Sequence, residues 1–238
     1  MAGPLKRSGV RPSRDYVAWD AVNWSRALEY WRKHSSLLER ENNLVIEAGA
    51  REGGVSHWAL DLGLRVHCTD KEMPEALRRL VFQEAIAEER ISFGAWDLLD
   101  RPCDRKGDIV IVKSVLGALG KSDDLEPQRR AIDNIYASLR SGGELWLAEN
   151  LVGSPLHMLA RKCFVPWGHK WHYFKPIEVL GLLQAFAKVE LGLVGLAGAF
   201  GRTEWQRGVF GGLDRILFER ILPSKWRYIA ICVAQKAK

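Results

Sequence analysis

The sequence predicts a doubly wound α/β fold, a mostly parallel sheet with helices on both faces. Three observations predict it. Short apolar runs alternate with helical patterns between residues 44 and 151, and a glycine-bearing turn directly follows the first of these runs. The chain of 238 residues, 47% hydrophobic and 27% charged, also has the size and composition to bury one sizeable core. Parallel neighbours need crossover helices of fixed hand, so the alternation itself specifies the winding.

The first fourteen residues, MAGPLKRSGVRPSR, hold the bases Lys6, Arg7, Arg11 and Arg14 and no acid. With Gly and Pro among the bases, residues 1–14 are expected to form a disordered basic tail. Of the formal charge of +6, only +2 belongs to residues 15–238, so a broad phosphate-tracking face is not indicated. Segment 15–43 carries an amphipathic helix, expected over residues 17–38, in which Trp24, Leu28 and Trp31 recur at three- and four-residue steps.

Segment 44–150 reads as the ligand-binding core. Its expected strands are LVIEAG (44–49), RVHCTD (65–70), ISFGAW (91–96), DIVIVK (108–113) and ELWLAENL (144–151). Between them fall a helix over 54–62, a charged helix through Arg90, and a helix opened by Ser122 and closed at Gly142. Segment 151–238 completes the single domain with helices near 156–164, from Pro176 and near 214–222, a strand near 188–194, and the last strand WRYIAICVAQ. The glycine-rich stretch 192–201 is expected to be a strand running into a loop, beside a ligand or in close backbone packing. No apolar run reaches the roughly 18 residues of a membrane span, and the N-terminus lacks the apolar stretch of a signal peptide, so a cytoplasmic location is expected. Cys68, Cys103, Cys163 and Cys232 are scattered without ligand or disulfide spacing.

The turn after the first strand carries the chemistry. Glu47, Gly49, Ala50, Arg51 and Gly53 lead into a helix, and Asp70 ends the second strand. Ligands of such sheets bind outside the carboxyl ends of the strands, where glycines let the backbone approach. A dinucleotide fingerprint would place a glycine at position 51, where Arg51 instead crowds a pyrophosphate. Glu47 would repel a pyrophosphate but attract a ligand carrying an ammonium and a sulfonium. Asp70 suits the two hydroxyls of a ribose.

Here the sequence resembles the class I S-adenosylmethionine-dependent methyltransferases, whose first motif, E-x-G-x-x-x-G, matches Glu47, Gly49 and Gly53. The resemblance implies a Rossmann-like seven-stranded sheet of order 3-2-1-4-5-7-6, its last strand antiparallel. It implies S-adenosylmethionine as cofactor, with Asp70 on the ribose and Ala95-Trp96-Asp97 around the adenine. Lys113 and Ser114 would border the methionine part and the methyl group. Ala50 and Arg51 in the turn and Lys71 beside Asp70 complete the expected cofactor-binding set. The family often has a second glycine where Arg51 stands.

Methyl transfer from a sulfonium is an in-line displacement, in which alignment of the acceptor and exclusion of water can supply most of the catalysis. After the fourth strand, Lys113-Ser114-Val115-Leu116-Gly117 lacks the Asn/Asp-Pro-Pro-aromatic tetrad of similar amino-group methyltransferases, and no metal site is expected. The segment RKCFVPWGHKWHYFK (161–175) combines aromatics and bases with no acid. It reads either as an acceptor wall, with Trp167, Trp171 and Tyr173 stacking on a ring and His169 or His172 removing a proton, or as core anchors with solvated bases. Glu149 and His157 are weaker candidates for the base. Trp19, Trp24 and Trp31 suit either a lid or packing on the sheet. The patterns WSRALEYWRKH, KSVLG and HKWHYF are similar to those of bacterial methyltransferases that modify saccharides or surface glycans. The expected activity is metal-independent O-methylation of a small molecule or glycan. RNA methylation, using Arg161, Lys162, Lys170 and Lys175 on phosphates, and a noncatalytic methyltransferase-like subunit stand beside it.

Overall fold

In the computed structural model, seven strands form one sheet of order β3-β2-β1-β4-β5-β7-β6. The structure describes residues 14–39, 42–72, 85, 89–120, 124–165 and 170–238. The expected tail therefore lies outside the described residues apart from Arg14, as do most of the charged helix before Arg90, Ser122, Trp167 and His169.

The strands are β1 (Leu44–Ala48), β2 (Arg65–Asp70), β3 (Ile91–Ala95), β4 (Gly107–Lys113), β5 (Leu139–Asn150), β6 (Lys188–Val194) and β7 (Ile229–Gln235). β1 to β5 run parallel, and β7 inserts antiparallel between β5 and β6. The neighbours of β1, β2 and β4, lie on opposite sides of it, so the strand order reverses there, the place where ligands of open α/β sheets bind. The register aligns that edge: Ala48 lies opposite Thr69 and Val112, Asp70 opposite Ala95, and Lys113 opposite Ala148.

The helices are α1 (Arg14–Val17), α2 (Ala21–His34), α3 (Gly54–Asp61), α4 (Glu126–Ser138), α5 (Pro155–Phe164), α6 (Pro176–Leu182), α7 (Glu204–Leu213) and the short α8 (Glu219–Ile221), with a π-helical turn, Asp214–Phe218, joining the last two. α2 is shorter than its periodicity predicts. Asp20 turns left-handed (φ 44°) at its start. At its end Glu144 accepts hydrogen bonds from Ser35 Oγ (2.7 Å), Ser36 N (2.9 Å) and Ser36 Oγ (2.7 Å), which draw the chain out of the helix. α4 likewise spans less than the expected stretch up to Gly142, because β5 begins at Leu139 and takes over those backbone groups.

α7 begins ten residues before the expected helix at Asp214. Gly208, Gly211 and Gly212 weaken its helical signature. The bare backbone of Gly211 allows close contact with α2, since a Cβ there would stand 2.7 Å from Val22 Cγ1. Thr203 Oγ1 caps α7 by accepting from Gln206 N at 3.2 Å.

The core has two layers, one on each face of the sheet. On the α2 and α3 side Trp31, Trp58 and Trp146 form a triangle with ring centroids 6.0–6.2 Å apart. Trp24 and Trp31 are buried there, so of the two roles open to the N-terminal tryptophans these two take that of packing, while Trp19 stays exposed under Arg207. No helix among the described residues is long and apolar enough to cross a membrane.

Candidate active site

The turn between β1 and α3 uses three left-handed residues in five: Gly49 (φ 69°), Arg51 (φ 52°) and Gly53 (φ 72°). Gly49 is required twice over, by its positive φ and because a Cβ would meet Val115 Cγ2 at 2.6 Å. Arg51 accepts a conformation that costs a side chain about 1–2 kcal/mol. Its amide is repaid in part by a 2.7 Å hydrogen bond to Asp70 Oδ2, and its side chain is exposed, away from the packed floor of the turn. Position 51 is thus where glycine would sit without strain.

Asp70 is fixed from two sides, accepting from Arg51 N and, through Oδ1, from Lys71 N, both at 2.7 Å. These bonds use one lone pair on each oxygen and orient the others outward from the sheet edge. Lys71 Nζ reaches Asp97 at 3.0 Å, and Leu99 N donates to Asp97 Oδ1 at 2.9 Å. The Leu99 amide and then Lys71 hold the Asp97 carboxyl below the usual carboxylate range. Trp96 is buried, its indole donating to the Arg101 carbonyl at 2.8 Å, while its amide joins the Asp70 carbonyl at 2.8 Å. Trp96 therefore shapes this corner from within the core.

Glu47 is buried at the end of β1 and accepts from Ser56 N at 2.7 Å in the first turn of α3. Burial pushes its carboxyl up to about 7, opposed by the Ser56 hydrogen bonds and the charge of Lys113. Lys113 projects from the end of β4 within the electrostatic reach of Glu47 and Glu149, its Nζ 5.2 Å from the centre of the Trp24 ring. Burial lowers its ammonium from the ordinary value, and the two glutamates oppose that. Ser114 (φ 57°) turns the chain away from the strand and receives a 2.8 Å hydrogen bond from Asn150 Nδ2.

Glu149 is fully buried and accepts from the amides of Val115 and Leu116, both at 2.6 Å. It holds the loop after β4 against Gly49, a positioning role that its strand-end location alone does not reveal. His157 is also buried, with Nδ1 2.7 Å from Ser154 Oγ at the start of α5. Desolvation, with Arg161 nearby, drops it to about 4, and its ring packs between Phe200 and Tyr228. Both residues are engaged in holding local structure in this arrangement.

The aromatic segment reaches the same loop. A Cβ on Gly117 would lie 2.1 Å from Trp171 Nε1, and His172 N donates to the Gly117 carbonyl at 2.9 Å. His172 Nε2 lies 3.3 Å from Glu178 Oε2, and its ring meets Phe174 edge-on at 4.7 Å. Glu178 went unnoticed in the sequence, although Lys175-Pro176 and an acid two positions on mark the start of α6. Arg161 stacks on Tyr173 at 3.7 Å and donates to the Val152 carbonyl at 2.7 Å, so its charge is turned inward, while Lys162, Lys170 and Lys175 are exposed.

A second polar cluster closes the far side. Asn23 Nδ2 stands 3.1 Å from Tyr228 Oη and 3.2 Å from Asp214 Oδ2, Tyr228 donates to Asp20, and Asp214 accepts from the amides of Leu196, Ala197 and Gly198 at 2.7–3.0 Å. It fastens α2 to the 195–228 region. The glycine-rich stretch is therefore close packing: Gly195 faces Tyr228, and Gly198 faces Asn23. Among the described residues no group of three or more His, Cys, Asp or Glu side chains gathers as metal ligands.

No protein-family model matches the sequence, and no curated protein matches it. Solved structures do. Phosphoethanolamine N-methyltransferase 2 of Haemonchus contortus, in complex with S-adenosyl-L-methionine, is similar over 90% of this chain with a TM-score of 0.62 and 14% identity. This chain spans 53% of that one. The N-methyltransferase NodS of Bradyrhizobium japonicum, in complex with S-adenosyl-l-homocysteine, is 20% identical with a TM-score of 0.58, over 90% of this chain and 87% of its own. The fold and its strand order are those of the class I S-adenosylmethionine-dependent methyltransferases.

Proposed function

We propose that the chain binds S-adenosylmethionine and transfers its methyl group, without a metal, to an oxygen of a small molecule or glycan. One observation carries the cofactor. The ends of three adjacent strands, β2, β1 and β4, bring together a glycine turn, an oriented Asp70, and the opposite charges of Glu47 and Lys113. A carboxylate beside an ammonium complements the zwitterionic amino-acid end of the cofactor, and Asp70 offers acceptors to a ribose diol. Gly49, left-handed and packed under Val115 with no room for a Cβ, holds the turn in the shape that exposes its backbone edge beside Asp70. The residues present therefore fit the group. Asp97, clasped by Lys71, marks the adenine end, and Gly49, Ala50, Arg51 and Gly53 form the floor.

The bound cofactor supplies an electrophilic methyl group, and the chain's own residues align and shield the acceptor. His172 is the residue assigned to the acceptor proton. It adjoins Gly117 on the loop that packs on Gly49, and Glu178 orients its imidazole as a carboxylate orients a general base. His169 is the second candidate, and it lies outside the described residues.

Titration calorimetry with S-adenosylhomocysteine tests the cofactor. The wild type is expected to bind, and the Glu47→Ala/Asp70→Ala protein, still folded, to lose on the order of 100-fold in affinity. Unchanged affinity would reject the site. Transfer of labelled methyl to a saccharide panel tests the acceptor class. His172→Asn is expected to lower the transfer rate by roughly 100-fold or more at unaltered cofactor affinity. Label reaching RNA but no saccharide or small molecule would replace the acceptor reading.

A further inference from the structure

The apolar surface of this protein is not scattered. Among the described residues, 14 large apolar side chains are exposed, and 11 of them fall in two stretches, 156–164 and 200–221. The stretches are neighbours in space. α5 and α7 both pack against the 3-10 turn Gly198–Phe200, and the Phe200 ring lies 4.6 Å from that of His157 in α5. Along 204–221 the exposed residues Trp205, Val209, Leu213, Ile216, Leu217 and Ile221 recur at one-, three- and four-residue steps, a single stripe on one helical face. The opposite face is the one already committed: Gly211 lies on α2, Asp214 is fully buried in the polar cluster, and Glu219 pairs with Arg26.

The charges around the stripe are one-sided. α5 carries Arg161 and Lys162 and no acid. Between residues 196 and 228 the three acids are all engaged: Glu204 with Arg207 and the start of α2, Asp214 with backbone amides, and Glu219 with Arg26 and Gly195 N. Lys162, Arg202, Arg220 and Lys225 remain exposed at the margins. A helix with an apolar face carrying Trp, Leu and Ile, bordered by Lys and Arg, has the composition of one that lies in a membrane interface. A second copy of the chain would place these bases against like charges.

We infer that the face formed by α5 and the 204–221 helical stretch binds the surface of an anionic bilayer, with the apolar stripe in the acyl boundary and the marginal bases on the headgroups. The inference goes beyond the proposed reaction and does not depend on it.

Co-sedimentation of the whole chain with vesicles of phosphatidylcholine alone, or of equal parts phosphatidylcholine and phosphatidylglycerol, tests it without any cofactor. Binding at least tenfold tighter to the phosphatidylglycerol vesicles is expected, together with quenching of tryptophan fluorescence by brominated lipid. The triple variant Trp205→Glu/Ile216→Glu/Ile221→Glu, all at exposed positions, should lose binding while keeping the wild-type melting temperature. Replacing Lys162, Arg220 and Lys225 by Gln should weaken binding by about fivefold per base. Absence of binding to anionic vesicles, or binding that the triple variant leaves unchanged, overturns the inference. So does a wild-type dimer that ignores vesicles and that the triple variant dissolves into monomers, which would identify a second copy as the occupant.

Discussion

The carboxyl ends of β1 to β4 and the junction of α2 with residues 195–228 are built from different materials. The proposed cofactor side, at the ends of β1 to β4, is made of backbone: left-handed turn residues, amides clasping Asp70, and a loop pinned by Glu149. The far side, where α2 meets residues 195–228, is made of side chains reaching across about two hundred positions, as Asn23 does to Asp214 and Tyr228. A backbone-built site depends on conformations that few residues can adopt. A side-chain-built site depends on protonation and packing.

The steepest break is expected at Gly49. Gly49→Ala combines a left-handed strain with a Cβ 2.6 Å from Val115, so a loss of about 2–4 kcal/mol is expected in denaturant titration. Adding Val115→Ala should recover only the steric share. Full recovery would mean that the turn tolerates a side chain and that the cofactor side is packed rather than conformationally required.

A smaller effect is expected at Asp20. Its carboxyl is raised to about 7, chiefly by burial, with Asn23 and Arg207 opposing and Asp214 and Glu204 reinforcing. The folded state therefore holds this proton more tightly than the unfolded chain. The contribution of Asp20 is complete below the ordinary value near 4, declines as pH rises to about 7, and is level above. Asp20→Asn should flatten that part of the stability profile and raise Tm at pH 8 by on the order of 5 °C. An identical slope in the variant would place the titration elsewhere, with Glu47 and Glu149, both also raised to about 7, as the remaining carboxyls.

The smallest change concerns Arg51. Arg51→Gly relieves the left-handed strain at the cost of backbone entropy, a net gain of about 0.5–1 kcal/mol, with cofactor affinity unchanged because only the amide of this residue meets Asp70. Lower affinity would show that the guanidinium also touches the ligand.

These contrasts follow what could be read in advance. The strands, the turn Glu47 to Gly53, and Asp70 at the end of β2 were legible because neighbouring residues specify them: short continuous apolar runs buried on both faces, glycines at positive φ, an acid at a strand end. The helix Glu204–Leu213 was hidden because its three glycines, of which Gly211 lies against α2, contradict local propensity. The pairing of Glu178 with His172 and the hold of Glu149 on the β4 loop were hidden because each partner comes from a different element.

By itself, then, the sequence determined the winding of the sheet and the carboxylates and glycines at the carboxyl ends of β1 and β2, since local sterics and hydrophobic patterning act over a few residues. Only the tertiary structure decided that Trp24 and Trp31 are packing, that Lys113 stands beside Glu47, and that α2 is fastened by Asp20, Asn23, Asp214 and Tyr228. The physical reason is that burial, which shifts these charges and fixes these contacts, belongs to the assembled core and to no segment of it.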